Sequence, residues 1–256
     1  MIDLHSHLLP GVDDGSRTVE QSVEVLVKMV ASGVTAVCLT PHHTVSRVAR
    51  GVPAAHDAAY AALTAAAPQG IVLHRGVELM LDRPVTPAVK EEPGLTLAGT
   101  RYILVEFSRL VAAQAAANAL HQVVQLGLIP VLAHPERYKS CTPAVVAHWK
   151  SIGALMQLDA TTLLGGRGRA QRARELLAHG LGDIMAGDNH GDDRLISLAH
   201  HYLSEAGGSF QADLLAAKNP AAILEGGELE PVPPLVLKAG FLTKLKRLLE
   251  ELGEEE

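Results

Sequence analysis

The sequence predicts an α/β protein built on parallel strands, and three observations carry that prediction. Short apolar runs alternate with longer stretches of helical periodicity from the first residue onward. The runs are apolar on both faces, as strands covered by helices on either side should be. Several helical stretches end in glycine just ahead of the next run, at Gly33, Gly127, Gly153 and Gly180, the usual left-handed stop.

In chain order the predicted strands are 1–4, 35–39, 71–77, 102–107, 129–133, 154–158 and 183–186. Between them the predicted helices include 19–32, 53–66, 114–126 and 169–179, and the alanine-rich stretch 54–67 reads as helix, not as low-complexity chain. Seven βα units in a row fit either a barrel or an open doubly wound sheet. From residue 230 the composition changes: Pro231, Pro233 and Pro234 read as a stiff linker, followed by an amphipathic helix over 241–252. The expected organisation is one domain over 1–228 and a linker with a C-terminal helix over 229–256. Lys238, Lys244, Lys246 and Arg247 on that tail could meet an anionic membrane or a partner kinase, although such a helix more often docks on its own protein.

The bulk properties exclude several classes. With 48% apolar and 20% charged residues in a chain of 256, global disorder is excluded. A net charge of −6 leaves no nucleic-acid footprint. Two cysteines, Cys38 and Cys141, make no disulfide framework and suit a reducing compartment. The start lacks the basic and apolar regions of a signal peptide, and no apolar run approaches the ~20 residues of a membrane span. The expectation is a soluble, cytoplasmic protein.

Chemistry gathers at the strand ends. After the first strand come His5, His7 and Asp14; the second is followed by His42, the third by Glu78, the fourth by Glu106, the fifth by His134, and the seventh by Asp188 and His190. The sixth offers only Asp159. In a parallel α/β fold these ends open onto one face, so nine metal-competent side chains would converge there. Any one of them alone is as often a satisfied core or surface residue; nine at the same structural position are not. Imidazole with carboxylate suits manganese, iron or zinc better than calcium or magnesium. Three divalent ions against four carboxylates leave such a cleft positive, which favours an anionic substrate such as phosphate.

These residues sit in the segments MIDLHSHLLPGVDDGS, LTPHHT, GVELM, YILVEF, IPVLAHPERY and MAGDNH. Over about residues 1–228 the chain resembles the PHP (polymerase and histidinol phosphatase) superfamily, and within it the bacterial metal-dependent protein-tyrosine phosphatases linked to capsule and exopolysaccharide synthesis. The resemblance implies a distorted (β/α)7 barrel with three divalent metal ions, manganese first and iron or zinc as alternatives. They would be held by His5, His7, Asp14, His42, Glu78, Glu106, His134, Asp188 and His190. It implies a tyrosine-phosphorylated protein as partner, a bacterial tyrosine kinase among the candidates, and attack on phosphorus by a hydroxide between metal ions. Arg137 matches the arginine of the family's His-x-Glu-Arg stretch, which faces substrate phosphate. Where the family often has a second arginine this chain has Leu195, and Arg194, one residue earlier, is assigned its role. His42 is added to the catalytic set and His43 to the substrate-binding set; His43, Asp13 and Asp192 are the candidates for a general acid. The loop after Glu106, Phe107-Ser108-Arg109-Leu110-Val111, departs from the family pattern.

Other readings compete. A PHP phosphatase of a small metabolite such as histidinol phosphate would use the same site. An amidohydrolase also opens with His-x-His but expects a lysine where Glu106 stands. A metal-bound regulatory subunit would have no need of all nine residues. Cysteine-phosphatase chemistry is disfavoured, because the arginine needed six residues after the cysteine is Thr44 for Cys38 and Ala147 for Cys141. Gly165-Gly166-Arg167-Gly168-Arg169 lacks the Lys-Ser or Lys-Thr of a P-loop and reads as a flexible loop whose arginines could meet an acidic peptide.

Overall fold

The computed structural model describes residues 1–92, 94–166 and 168–237. Its architecture is α/β with parallel strands throughout: β1 (Ile2–Ser6), β2 (Ala36–Leu39), β3 (His42–Thr44), β4 (Val72–Arg75), β5 (Glu78–Met80), β6 (Tyr102–Glu106), β7 (Ile129–Ala133), β8 (Leu155–Asp159) and β9 (Ile184–Ala186). The expected helices form as Val19–Ala31, Ala54–Ala66, Ala113–Gln125 and Arg169–Ala178, with a further one at Pro143–Ser151. Two of them begin at a capping threonine. Thr18 caps the first by accepting from the Gln21 amide, and Thr142 caps the helix at Pro143 by accepting from Val145. The glycines expected to stop helices stand there with positive φ.

Seven expected strands become nine because the second and third are each followed, after a break, by a further short strand that was not expected. Thr40-Pro41 separates β2 from β3, and Gly76-Val77 separates β4 from β5. The breaks are in step: Gly76 donates to Leu39 O (3.1 Å) and Glu78 to Pro41 O (3.1 Å), so pairing continues through the sidestep. The lower halves make one sheet, β1-β2-β4, and the upper halves join another, β3-β5-β6-β7-β8-β9. The ladder does not close into a barrel: no strand pairing joins β9 to β1, and the chain after β9 meets β1 at the isolated bridge Ser6–Asn189.

One strand face carries both a plug and a site. Leu4, Cys38, Leu104, Val131 and Ile184 form a buried apolar cluster. Two residues further along the same face stand Glu106 on β6 and, beyond Leu155 on β8, Gln157 and Asp159. The larger core, with Leu26, Met29, Leu120 and Trp149, lies between strands and helices.

Residues 229–237, read as a linker, lie against the body. Asn219 exchanges two hydrogen bonds with the Glu230 backbone (2.9 Å each), Leu235 donates to Leu177 O (2.9 Å), and Val232 and Leu235 are buried. The expected helix over 241–252, with Lys238 and the other tail cations, lies outside the described residues. No helix among the described residues is long and apolar enough to cross a membrane.

Candidate metal centre

The nine side chains expected at the strand ends come together. They fall into four overlapping groups, each with donor atoms within 4.8 Å of one another: His7, Asp14, His42 and His190; His5, Glu78 and His134; His5, His7 and Asp188; His42, Glu78 and Glu106. His5, His7, Glu78, His134 and Asp188 are buried, whereas Asp14 and His42 are exposed at the mouth of the cleft.

Backbone turns aim several of them. The β1–β2 register shifts between Asp3 and Ser6, which lets His5 and His7 share the cleft. His134 and Asp188 both adopt left-handed backbone, at φ +37° and +49°. Non-glycine residues rarely accept that conformation outside functional sites. Each turn is held by its own amide, His134 N donating to Gln157 O (2.8 Å) and Asp188 N to His5 O (3.0 Å).

Glu78 is the hub. Its Oε1 lies 3.0 Å from His134 Nε2, and its Oε2 lies 3.3 Å from His5 Nε2, 3.3 Å from His7 Nε2 and 3.1 Å from His42 Nδ1. Glu106 Oε1 is 3.3 Å from the same His42 nitrogen, and Asp188 Oδ1 is 3.3 Å from both His5 Nε2 and His7 Nε2. Asp14 Oδ1 stands 3.3 Å from His42 Nε2 and 3.7 Å from His190 Nε2.

The donor set fits metal ions on chemical grounds. His5 Nδ1 donates to Gln157 Oε1 (2.9 Å), whose orientation is fixed because the amide nitrogen donates to Leu158 O. His7 Nδ1 donates to Asp13 Oδ2 (2.7 Å). As neutral rings, both therefore point lone pairs from Nε2 at each other across 3.1 Å and at two carboxylate oxygens. Four converging lone pairs repel unless positive charge sits among them. Bonds of about 2.1 Å at tetrahedral or octahedral angles space ligand atoms roughly 3.0–3.4 Å apart, the spacing found here.

Without a metal, protons take that part. Burial opposes the charged form of His7, yet hydrogen bonds to Asp13, Asp188 and Glu78 hold its pKa well above the ordinary value. For His42 burial is likewise outweighed by Glu106 and Glu78, which push it up to about 10. Burial would raise Glu78, but His5, His134 and His42 hold it well below the usual carboxylate range.

A family model described as "Capsular polysaccharide synthesis, CpsB/CapC" matches residues 1–225. The chain belongs to the CpsB/CapC family. It is 32% identical to the tyrosine-protein phosphatase YwqE of Bacillus subtilis (strain 168) over 74% of this chain and 77% of that protein. It is 24% identical to the tyrosine-protein phosphatase CpsB of Streptococcus pneumoniae over 88% and 98%. A crystal structure from a study describing YwqE and CpsB as "unique metal-dependent tyrosine phosphatases" superimposes with a TM-score of 0.76 at 25% identity, covering 93% of this chain and all of that one.

In this CpsB/CapC chain the remaining expected residues divide. Arg137 lines the cleft, a pocket of about 210 Å³ that also includes Phe107 and Tyr138. Its guanidinium is clamped by Asp159 and Asp188. Arg194 holds Asp192 (2.7 Å) and reaches to 3.8 Å from Asp188 Oδ2. His43 is a correction: strand alternation that turns His42 into the cleft turns His43 to the other side of β3, where it is buried and its Nε2 has no partner. It does not line the cleft, and its electrostatic neighbours are His56, Arg47 and Glu92. As for the other general-acid candidates, Asp13 is engaged by His7 and by the His42 amide (3.1 Å), and Asp192 is paired with Arg194.

Three supporting residues were not singled out as such from the sequence. Gln157 and Asp159, inward-facing polar positions on β8, orient His5 and Arg137. Asp13 orients His7 from the Asp13-Asp14 pair. The signal was present as two polar residues alternating in an otherwise apolar strand.

Proposed function

We propose that this chain is a metal-dependent phosphatase that removes phosphate from tyrosine side chains of proteins, in the control of capsule or exopolysaccharide synthesis. The observation that carries the reading is Glu78 facing four imidazoles, with Asp188 opposite, a donor set that needs cations at its centre. We assign metal binding to His5, His7, Asp14, His42, Glu78, Glu106, His134, Asp188 and His190. Nine donors suit three ions, with manganese first and iron or zinc as alternatives. The fold is read as a distorted (β/α)7 barrel, 1–228, open between β9 and β1, with 229–256 as an appended tail.

When bound, the ions supply Lewis acidity toward phosphoryl oxygens and toward water. The protein's own contributions are orientation and charge. Arg137, pre-positioned by Asp159 and Asp188, offers guanidinium hydrogens to the phosphoryl oxygens, and Arg194 adds positive charge behind Asp188. Phe107, backed by the buried Tyr138 ring, gives the cleft an aromatic edge against which a tyrosine ring can pack. The departing phenol has a pKa near 10, so it leaves with less proton help than an alkoxide, consistent with the engagement of Asp13 and Asp192 elsewhere. The substrate is a phosphotyrosine protein, a bacterial tyrosine kinase being a suitable one, and such a substrate places the work in the cytoplasm.

The test is phosphate release by metal-stripped protein refilled with manganese, iron or zinc, comparing a tyrosine-phosphorylated peptide with histidinol phosphate, alongside His134→Ala. Preference for the peptide, lost in the variant, is the expected result. Preference for histidinol phosphate would move the substrate to a small metabolite. Turnover of neither, with metal bound, would overturn the enzyme reading.

A further inference from the structure

The loop after β6 and the start of the helix Arg169–Ala178, which follows β8, carry arginines that the chemistry above does not use. Arg109 follows β6, and Arg169 and Arg172 follow β8; between them, after β7, stands Arg137. β6, β7 and β8 are neighbours in the sheet, so these loops are neighbours too. Arg109 shares the cleft wall with Arg137. Lys139 N donates to Arg109 O (3.0 Å), and Arg172 Nε donates to Glu136 O (2.8 Å), so both flanking loops are tied to the segment that bears Arg137.

The clustered charge lacks counterions. Arg137 is held by Asp159 and Asp188, whereas among the described residues Arg109, Arg169 and Arg172 have no carboxylate within ion-pair distance. Burial and the like charges of Arg109, Arg137 and Arg172 hold Arg169 below its ordinary pKa, with Asp159 opposing them. On the other side of the mouth, in the loops after β9 and β1, Asp192 is paired with Arg194, Asp193 with Lys28, and Asp14 faces His42 and His190.

We propose that Arg109, Arg169 and Arg172 form an anion subsite beside the metal cleft that recognises acidic groups flanking the phosphotyrosine of a peptide substrate. This rests on the phosphotyrosine reading and adds a sequence preference to it. Carboxylate side chains and a second phosphoryl group share the required chemistry.

The experiment measures kcat/KM for three phosphotyrosine peptides that differ only in flanks: glutamates, alanines, or a second phosphotyrosine. Free phosphotyrosine reports the cleft without flanks. The wild-type chain should prefer the glutamate peptide over the alanine peptide by about tenfold, an advantage that shrinks as salt is raised. In Arg109→Ala/Arg169→Ala the ratio should collapse to near one. A gain from the second phosphotyrosine that is lost in the same variant supports the subsite with phosphate as its source. Equal rates on glutamate and alanine peptides in the wild type, or a preference that survives in the double variant, would overturn it. Fluorescence anisotropy of a labelled, unphosphorylated glutamate-rich peptide separates this failure from that of the phosphatase reading. Binding lost in the double variant supports the subsite even if no substrate turns over, and equal binding to both proteins counts against it.

Discussion

Asp13 touches no group expected to hold metal except through His7 and the His42 amide, yet it sets the tautomer that presents His7 Nε2 to the cleft. Asp13→Asn keeps the size but loses the charge that favours a donating Nδ1. Metal affinity should fall about 10- to 100-fold in titration calorimetry, while Asp192→Asn, at the Arg194 pair, should leave it within a few-fold. Proton linkage gives a second expectation at this scale. In the metal-free chain His42 titrates near 10, because Glu106 and Glu78 outweigh its burial, so it is protonated at neutral pH and must release that proton to coordinate. Affinity should therefore rise with pH between about 6 and 9. Calorimetry in buffers of different ionisation enthalpy should detect a proton released for each His42 engaged.

Elements decide how these residues are delivered, and here the sequence was informative to different depths. The strands were legible because apolar runs and stop glycines are local signals, and the site positions were legible because they lie at strand ends. The two sidesteps at Thr40-Pro41 and Gly76-Val77 were not, since each break is stabilised by its neighbour and exists only once the strands pair. His43 misled for a related reason: two adjacent histidines look equivalent in sequence, and only the pleat separates their faces. The docking of 229–237 was hidden because its partners, Asn219 and Leu177, lie in other elements. The loop after β1 offers a test. A Cβ on Gly15 would stand 1.9 Å from His7 O, where Ser16 N also donates (2.9 Å). Gly15→Ala should push Asp13 and Asp14 out of place and destabilise the fold by about 2 kcal/mol or more, a fall of roughly 5 °C in Tm by calorimetry.

For the whole molecule the metal centre and the thiols make opposite predictions. Burial pushes both Cys38 and Cys141 up to about 12, and neither is exposed, so alkylating reagents should leave the folded enzyme active. Chelation should abolish activity and lower stability together. Each site filled at a hundred times its Kd adds about 2.7 kcal/mol. A scan of Tm against metal concentration reads that gain directly, and a flat curve would argue against a resident metal. The expected sites are also spread along almost the whole chain, from His5 to His190, with the earliest and latest contributors meeting at the Ser6–Asn189 bridge. Synthesis proceeds from the N-terminus, so a nascent chain has the first imidazoles long before Asp188 and His190 have been translated. Complete metallation is therefore a late event in biosynthesis, and a chain truncated ahead of residue 188 would leave the ribosome without the residues that complete its cofactor site.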